Sequence, residues 1–331
     1  MKKRFSISKK LIFIFCALIA IALLAEGILA IRIARKAVTE KVETHLIDKA
    51  TDVAEIIDGR ITAVQQFLEG IARMPVFSDA SVSNQEKVEL LKEQVAFNTA
   101  IHELDFSELD GTLHSINGRA NVGDREWFKA ARNGKAFLSE PLFSKTTQKL
   151  IQVITVPIYD DNHQIIGVLS ADFDGSWLSE QIKDIVVGKT GNCYIMGDTT
   201  NIVADKDIEL VRNQVSIIEL AKTDKELASC ADFLEYVWDT DESEVGYYTY
   251  KGESYIASFA TMKTTGWSVI IRAPVNEFMG AVNTLRRSVF GIGTVVISIA
   301  LVIVFFVALA LIKPITAIVS ALKDIAEGEG D

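Results

Sequence analysis

The chain has 331 residues, 49% of them hydrophobic and 24% charged, with a formal net charge of -10 and a mean hydropathy of +0.24. The acidity excludes nucleic acid as the partner, because phosphate binding needs clustered Lys and Arg, and so much apolar residue beside so much charge requires an uneven distribution along the chain. Three cysteines, Cys16, Cys193 and Cys230, are too few for a disulfide framework and lack the C-x-x-C spacing of zinc or redox sites. Cys16 lies in an apolar block, so only Cys193 and Cys230 can pair, and spacing alone leaves that open.

Residues 1–10 contain Lys2, Lys3, Arg4, Lys9 and Lys10 and no acid. A run of about 20 apolar residues follows, enough to cross a hydrocarbon core of about 30 Å. A basic flank ahead of an apolar run places residues 1–10 in the cytoplasm and a transmembrane helix at 11–31. The alternative is a cleaved signal peptide, but the run is long for one and continues into a helical pattern rather than a small-residue cleavage site.

From residue 32 to 74 the apolar positions Val38, Val42, Leu46, Ala50, Val53, Ile57, Ile61, Val64, Leu68 and Ile71 recur every three or four residues. That is one stripe on a long helix, read as a stalk able to pair with a second copy and stopped by Pro75. Ser83-x-x-Glu86 is a capping box opening a second helix. Residues 101–115 alternate around Asp110-Gly111, a hairpin signal. Asp124 can cap a short helix carrying Arg125, Trp127 and Phe128, with Gly134 at its end. Two apolar strands, 150–159 and 164–171, flank a turn at Asp160-Asp161-Asn162, and Asp174 can cap a linking helix over 175–186. A second unit repeats the theme with strands at 191–196, 246–252, 255–259 and 266–272. These patterns predict an α+β fold with antiparallel strands.

Residues 289–312 carry no charge and form a second span. Two spans bring both termini to one side, leaving 32–287 outside the cell. The segment from Pro314 reads as a helix with Ile315, Ile318, Leu322 and Ile325 on one face.

No enzyme motif is complete. Gly188-Lys189-Thr190 resembles the tail of a phosphate-binding loop, but Lys183 stands where its first glycine belongs. His102-Glu103 is followed by Phe106 where a zinc protease needs its second His, and the four His and three Cys have no metal spacing. The expectation is a binding protein without catalytic residues, metal or cofactor. A purely structural membrane protein is a further alternative.

The order span, long helix, two small lobes, span and Pro-led helix resembles a double Cache sensor domain, the periplasmic input of bacterial chemotaxis transducers and of related kinases and cyclases. D-R-E-W-F, S-E-P, V-P-I-Y-D and I-G-V-L-S-A-D-F-D, then K-T-G-N-C-Y-I-M and T-T-G-W-S-V, follow its usual course. K-P-I-T-A-I-V-S-A-L-K-D-I-A-E-G-E-G-D at 313–331 resembles the start of a HAMP linker. The resemblance implies two PAS-like lobes, a distal one at about 75–174 and a proximal one at about 187–275, in a homodimer of the cell inner membrane. It implies a small-molecule ligand and downstream cytoplasmic signalling proteins, with chemotaxis as the output or, alternatively, a histidine kinase or diguanylate cyclase.

The amino-acid-binding branch of that family uses an Arg-x-Trp-Tyr element, a Tyr five positions before the Arg, and a strand-end Asp. Arg125 and Trp127 match the pair that grips a ligand carboxylate, and Asp172 matches the acid that takes the ammonium. An Arg holds a carboxylate in two parallel hydrogen bonds, a geometry Lys lacks. Phe128 replaces the second aromatic of the element without its hydroxyl, and Ala120 stands where the earlier Tyr would be. Phe143 and Lys145 complete the expected ligand-binding set as residues at its entrance.

Overall fold

The computed structural model describes residues 7–240 and 242–326. The chain divides into two compact units, Val42–Glu277 and a second made from Met1–Lys41 and Phe278–Asp331.

Helix α1 (Ile7–Ala72) supplies the first unit with its spine. The stripe positions Leu46, Ala50, Val53, Ile57, Ile61, Val64, Leu68 and Ile71 are all buried, each large aliphatic contributing about 1.5–3 kcal/mol relative to exposure. From Leu46 onward the stripe is therefore consumed by the chain's own fold and is not a free face for a second copy. Two polar side chains near the middle of this stretch of α1 tie it to later segments of the chain. Arg60 Nη1 donates to Gln181 Oε1 at 2.7 Å, and Asp58 accepts the backbone N–H groups of Lys263 at 2.7 Å and Thr264 at 3.0 Å. Pro75 follows the helix and opens a single 3-10 turn, Pro75–Phe77.

Helix α2 (Asn84–Val95) begins with the reciprocal Ser83–Glu86 capping box. Seven strands then form one antiparallel sheet: β1 (Glu103–Glu108), β2 (Thr112–Ser115), β3 (Gly118–Asn121), β4 (Phe137–Leu138), β5 (Leu142–Phe143), β6 (Leu150–Tyr159) and β7 (Ile165–Asp174). Their order is β3-β2-β1-β7-β6-β4, with β5 also on β6. Helix α3 (Glu126–Arg132) sits between β3 and β4 in sequence. Its Trp127, Phe128 and Ala131 pack with Leu113, Val122, Ile151, Val153 and Val168 into one core.

Helix α4 (Trp177–Ile182) leads to the second lobe, shorter than the linking helix the sequence suggests. Asp174 does not cap it: Oδ1 accepts from Ser176 N at 2.9 Å, a local turn, and Ser176 is the N-cap. The strands of the second sheet are β8 (Val186–Val187), β9 (Gly191–Met196), β10 (Ile202–Ala204), β11 (Val245–Tyr250), β12 (Glu253–Thr261) and β13 (Ser268–Pro274). They run in the order β10-β9-β13-β12-β11, with β8 on β9. Helices α5 (Ile208–Arg212), α6 (Ile217–Ala221) and α7 (Ala228–Asp239) lie between β10 and β11 in sequence. Phe233 of α7 stacks on Tyr248 with ring centroids 5.1 Å apart. Cys193 and Cys230 are buried and free, so no disulfide joins them.

Helix α8 (Val275–Ala326) passes through Pro314 without a break. Within the unit built from the chain ends, α1 and α8 meet at Gly27, where an added Cβ would lie 2.8 Å from Val289 Cγ1. Stretches of both helices, in Ile12–Ala72 and Val275–Val307, are long and apolar enough to cross a bilayer. The basic residues Lys2, Lys3 and Arg4, the end of the HAMP-like segment, and the side chains of Ile315 and Ile325 lie outside the described residues.

Candidate functional site

The floor of the site is set by strand register. β1 pairs with β7 so that Glu103 lies opposite Asp172 and Asp105 opposite Ser170. Side chains alternate across a strand, so Glu103 and Asp105 share one face. Partners directly across a ladder point the same way, which adds Asp172 and Ser170 to it. One oxygen from each of Glu103, Asp105 and Asp172 lies within 4.8 Å of the others, and all three residues are buried.

The roof is α3 and the loop ahead of it. Gly111, at φ +89, makes the β1–β2 turn, and an added Cβ there would come within 2.8 Å of the Gly123 backbone. The turn and the chain entering α3 are thus packed backbone on backbone. Asp124 does not cap α3. Arg125 is the N-cap residue, without a side-chain cap, and Asp124 instead pairs with Lys145, which holds its carboxyl below the usual range. Gly134, at φ +87, follows the helix in the left-handed conformation that lacks a penalty only for Gly.

Between floor and roof lies a small, partly open cavity bounded by Arg125, Trp127, Lys145, Asp105, Asp172 and Ser170, with Leu113, Val153 and Leu142 as apolar walls. Four of the six residues expected at the site, Arg125, Trp127, Lys145 and Asp172, are thereby brought to one space. Phe128 is not among its lining: it is 1% exposed in the core beneath α3, where a ring without a hydroxyl packs without an unmet polar group. Phe143 also stays off the lining, its ring exposed. Its carbonyl accepts from Arg125 Nη2 at 2.9 Å, orienting the guanidinium.

Polar groups in this space are incompletely matched. Trp127 Nε1 and Asp105 Oδ1 are buried without a protein partner, an arrangement that costs about 1–3 kcal/mol for each group. Burial raises the Asp172 carboxyl to about 7, helped by Glu103 beside it. Burial, then Asp172 and Glu103, raise Asp105 well above the carboxylate range. Glu103 itself accepts from Ser115 Oγ and from Asn117 Nδ2, the latter at 2.8 Å. The site therefore offers hydrogen-bond donors on α3 and a row of acceptors on the sheet, a pattern that fits a small molecule with a negative and a positive end.

Glu103 and Asp105 are the site residues that sequence reasoning did not single out. Their signal is the alternation Glu103, Asp105, Ser107 along β1, which also describes an ordinary half-exposed strand.

A second, larger and more open cleft lies between the lobes, lined by Arg125, Trp127, Glu140, Pro141, Asp198, Thr199 and Trp267 among others. Glu140 spans it, accepting from the backbone N–H of Thr199 at 2.9 Å and from its hydroxyl. Gln214 Nε2 donates to Pro141 O at 2.6 Å.

Two antiparallel-sheet lobes hung on a long N-terminal helix and followed by a C-terminal one are the architecture of a Cache sensor domain. The chain belongs to that family: the Cache domain model dCache_1 matches residues 30–282. Among curated proteins it is similar to methyl-accepting chemotaxis protein TlpA of Bacillus subtilis, 24% identical over 99% of this chain and 48% of that one. It is also similar to McpG of Pseudomonas putida, 22% identical over 90% and 45%. The chain spans about half the length of these relatives. Among solved structures, the ligand-binding domain of Pseudomonas fluorescens chemoreceptor CtaA in complex with L-isoleucine superposes with a TM-score of 0.59 at 17% identity, covering 75% of this chain and 98% of that one. The Campylobacter jejuni chemoreceptor Tlp3 domain with L-valine gives 0.52 at 14%, covering 73% and 96%.

Proposed function

We propose that this chain is the input module of a transmembrane chemoreceptor, and that its first lobe binds a small molecule bearing a carboxylate and an ammonium, most simply an amino acid. The observation that carries the reading is the cavity that joins Arg125 and the unpartnered Trp127 Nε1 to the Asp105–Asp172 acceptors. Arg125 and Trp127 would take the carboxylate and Asp172 the ammonium, with Lys145 at the mouth. The module binds rather than catalyses.

In this reading residues 11–31 and 289–312 span the inner membrane, and residues 32–287 form the periplasmic sensor, with the first lobe distal and the second proximal. The large apolar side chains that α1 and α8 leave exposed, such as Phe13, Leu18, Phe290 and Phe306, have lipid as their natural surroundings. Residues 313–331 would begin a HAMP linker in a homodimer, acting on cytoplasmic signalling proteins. Occupancy must favour one of two arrangements of α8, since a ligand of equal affinity for both shifts nothing. Chemotaxis is supported by the chemoreceptor relatives. A kinase sensor is the second reading, supported by the similar extracellular domain of the putative histidine kinase mmHK1S-Z2, with a TM-score of 0.56.

Labelling of single cysteines in intact cells tests the topology: a Cys at Asn162 should react from outside and a Cys at Lys3 should not. Equal labelling of both, or of neither, before lysis contradicts it.

A further inference from the structure

The charges around the first-lobe cavity do not balance for a simple zwitterion. Lys145 is neutralised by Asp124, so among the lining residues Arg125 is the cation left facing Asp105 and Asp172, while Glu103 lies beside them off the lining, bonded to Ser115 and Asn117. An α-amino acid with an uncharged side chain brings one positive and one negative group and leaves that excess of acid unchanged. Buried charge without a counter-charge is strongly unfavourable. Without a ligand, protons held by the raised Asp105 and Asp172 carboxyls supply the missing positive charge, and a second ammonium on a ligand can take their place.

Two observations distinguish this cluster from acidic residues that happen to lie near one another. Asp105 is 2% exposed, lines the cavity and has Oδ1 without a protein partner. Trp127, 5% exposed on the opposite wall, likewise has Nε1 unpartnered. Register also separates the acids into two positions. Asp172 stands on β7, while Glu103 and Asp105 stand two residues apart on β1, so the face offers one acceptor site on each strand.

We propose that the cavity selects a compact ligand with two ammonium groups a few bonds apart, one held by Asp172 and the second by Asp105, with the Glu103 carboxylate behind it adding negative potential. This rests on the reading of the first lobe as the ligand site and names the class of molecule it takes. A short diamino acid places its carboxylate on Arg125 and both amines on the sheet. A short diamine uses the sheet alone.

Binding of matched probes to the full chain in lipid nanodiscs tests it, by calorimetry at pH 8. The pairs are 2,4-diaminobutyrate against 2-aminobutyrate and 1,3-diaminopropane against 1-aminopropane. A charged hydrogen bond at a buried site corresponds to about tenfold or more in affinity, so at least one diamino member should bind at least that much more tightly than its partner. Asp105→Asn should bring the ratio toward one and Glu103→Gln should lower it by less, with unliganded melting curves showing which variants are folded. A ratio near one in both pairs, a ratio untouched by both variants, or no binding by any probe would overturn the inference. Stabilisation by calcium or magnesium alone would also overturn it, making the cluster a metal site. Tight binding of 1,3-diaminopropane that survives Arg125→Ala, with no binding of either amino acid, would keep the inference and refute the amino-acid reading.

Discussion

Glu103 and Asp172 lie directly opposite each other on adjacent antiparallel strands, both 8% exposed. Burial disfavours the charged form of Asp172, and repulsion from the like charge opposite adds to the effect, so its carboxyl is raised to about 7. A carboxyl whose folded pKa exceeds its unfolded one keeps its proton in the fold at pH values where the unfolded chain has lost it. Its contribution to stability is therefore present at low pH and falls as pH rises from about 4 to about 7. Asp198 and Asp205, also raised by burial, act in the same direction, so a variant is needed to isolate the pair. Asp172→Asn should melt higher than the parent at pH 8, by about 2–4 °C for each kcal/mol of relief, and the gap should narrow at pH 5. An equal gap at both pH values would remove the electrostatic account.

Asp58 ties α1 to the second lobe through two backbone amides and the Thr264 hydroxyl, and is 9% exposed. Asp58→Ala leaves those donors unpaired and should cost about 1–3 kcal/mol. Thermal melting of the full chain should fall by several degrees. An unchanged melting temperature would mean that water replaces the carboxylate without loss.

Glu140 belongs to the loop that joins β4 to β5, and Leu142, two residues on, walls the ligand cavity. Its bonds to Thr199 connect that loop to the second lobe. Glu140→Ala should speed hydrogen exchange at the Thr199 amide while leaving strand β7 protected. Unchanged exchange at Thr199 would show that the contact does not hold the lobes in solution.

The thiols of Cys193 and Cys230 are buried, and burial raises both, that of Cys230 to about 11. Neither should react with a thiol reagent at pH 8 until the chain is unfolded, because the thiolate is the reactive form. Rapid labelling of either in the folded protein would contradict the burial described here.

Local signals in the sequence read well wherever the chemistry was local. The Ser83–Glu86 box, the Asp110-Gly111 hairpin and the β6–β7 pair each depend on neighbours a few residues apart, and each forms where expected. The caps assigned to Asp124 and Asp174 failed because better partners, Lys145 and Ser176, compete for the same oxygens. The short β3, β4 and β5 and the two five-residue helices α5 and α6 carry too few periodic positions to declare themselves, whereas α7 does carry a helical repeat at Cys230, Phe233, Leu234 and Val237 that sequence reasoning did not single out. At the site, Arg125, Trp127 and Asp172 were legible through their resemblance to a family pattern. Glu103 and Asp105 were not, since only the register of β1 on β7 turns an ordinary alternation into a buried acidic face.

The central claim is that Arg125 holds the carboxylate of a small ligand above that face. Thermal melting of the full chain in nanodiscs against a panel of amino acids, diamino acids included, tests it directly. A ligand at about 100 times its Kd adds about 2.7 kcal/mol, a rise of several degrees. The account predicts that at least one member gives this rise and that Arg125→Ala, melting normally without ligand, loses it. No rise from any member, or a full rise retained by Arg125→Ala, would contradict it.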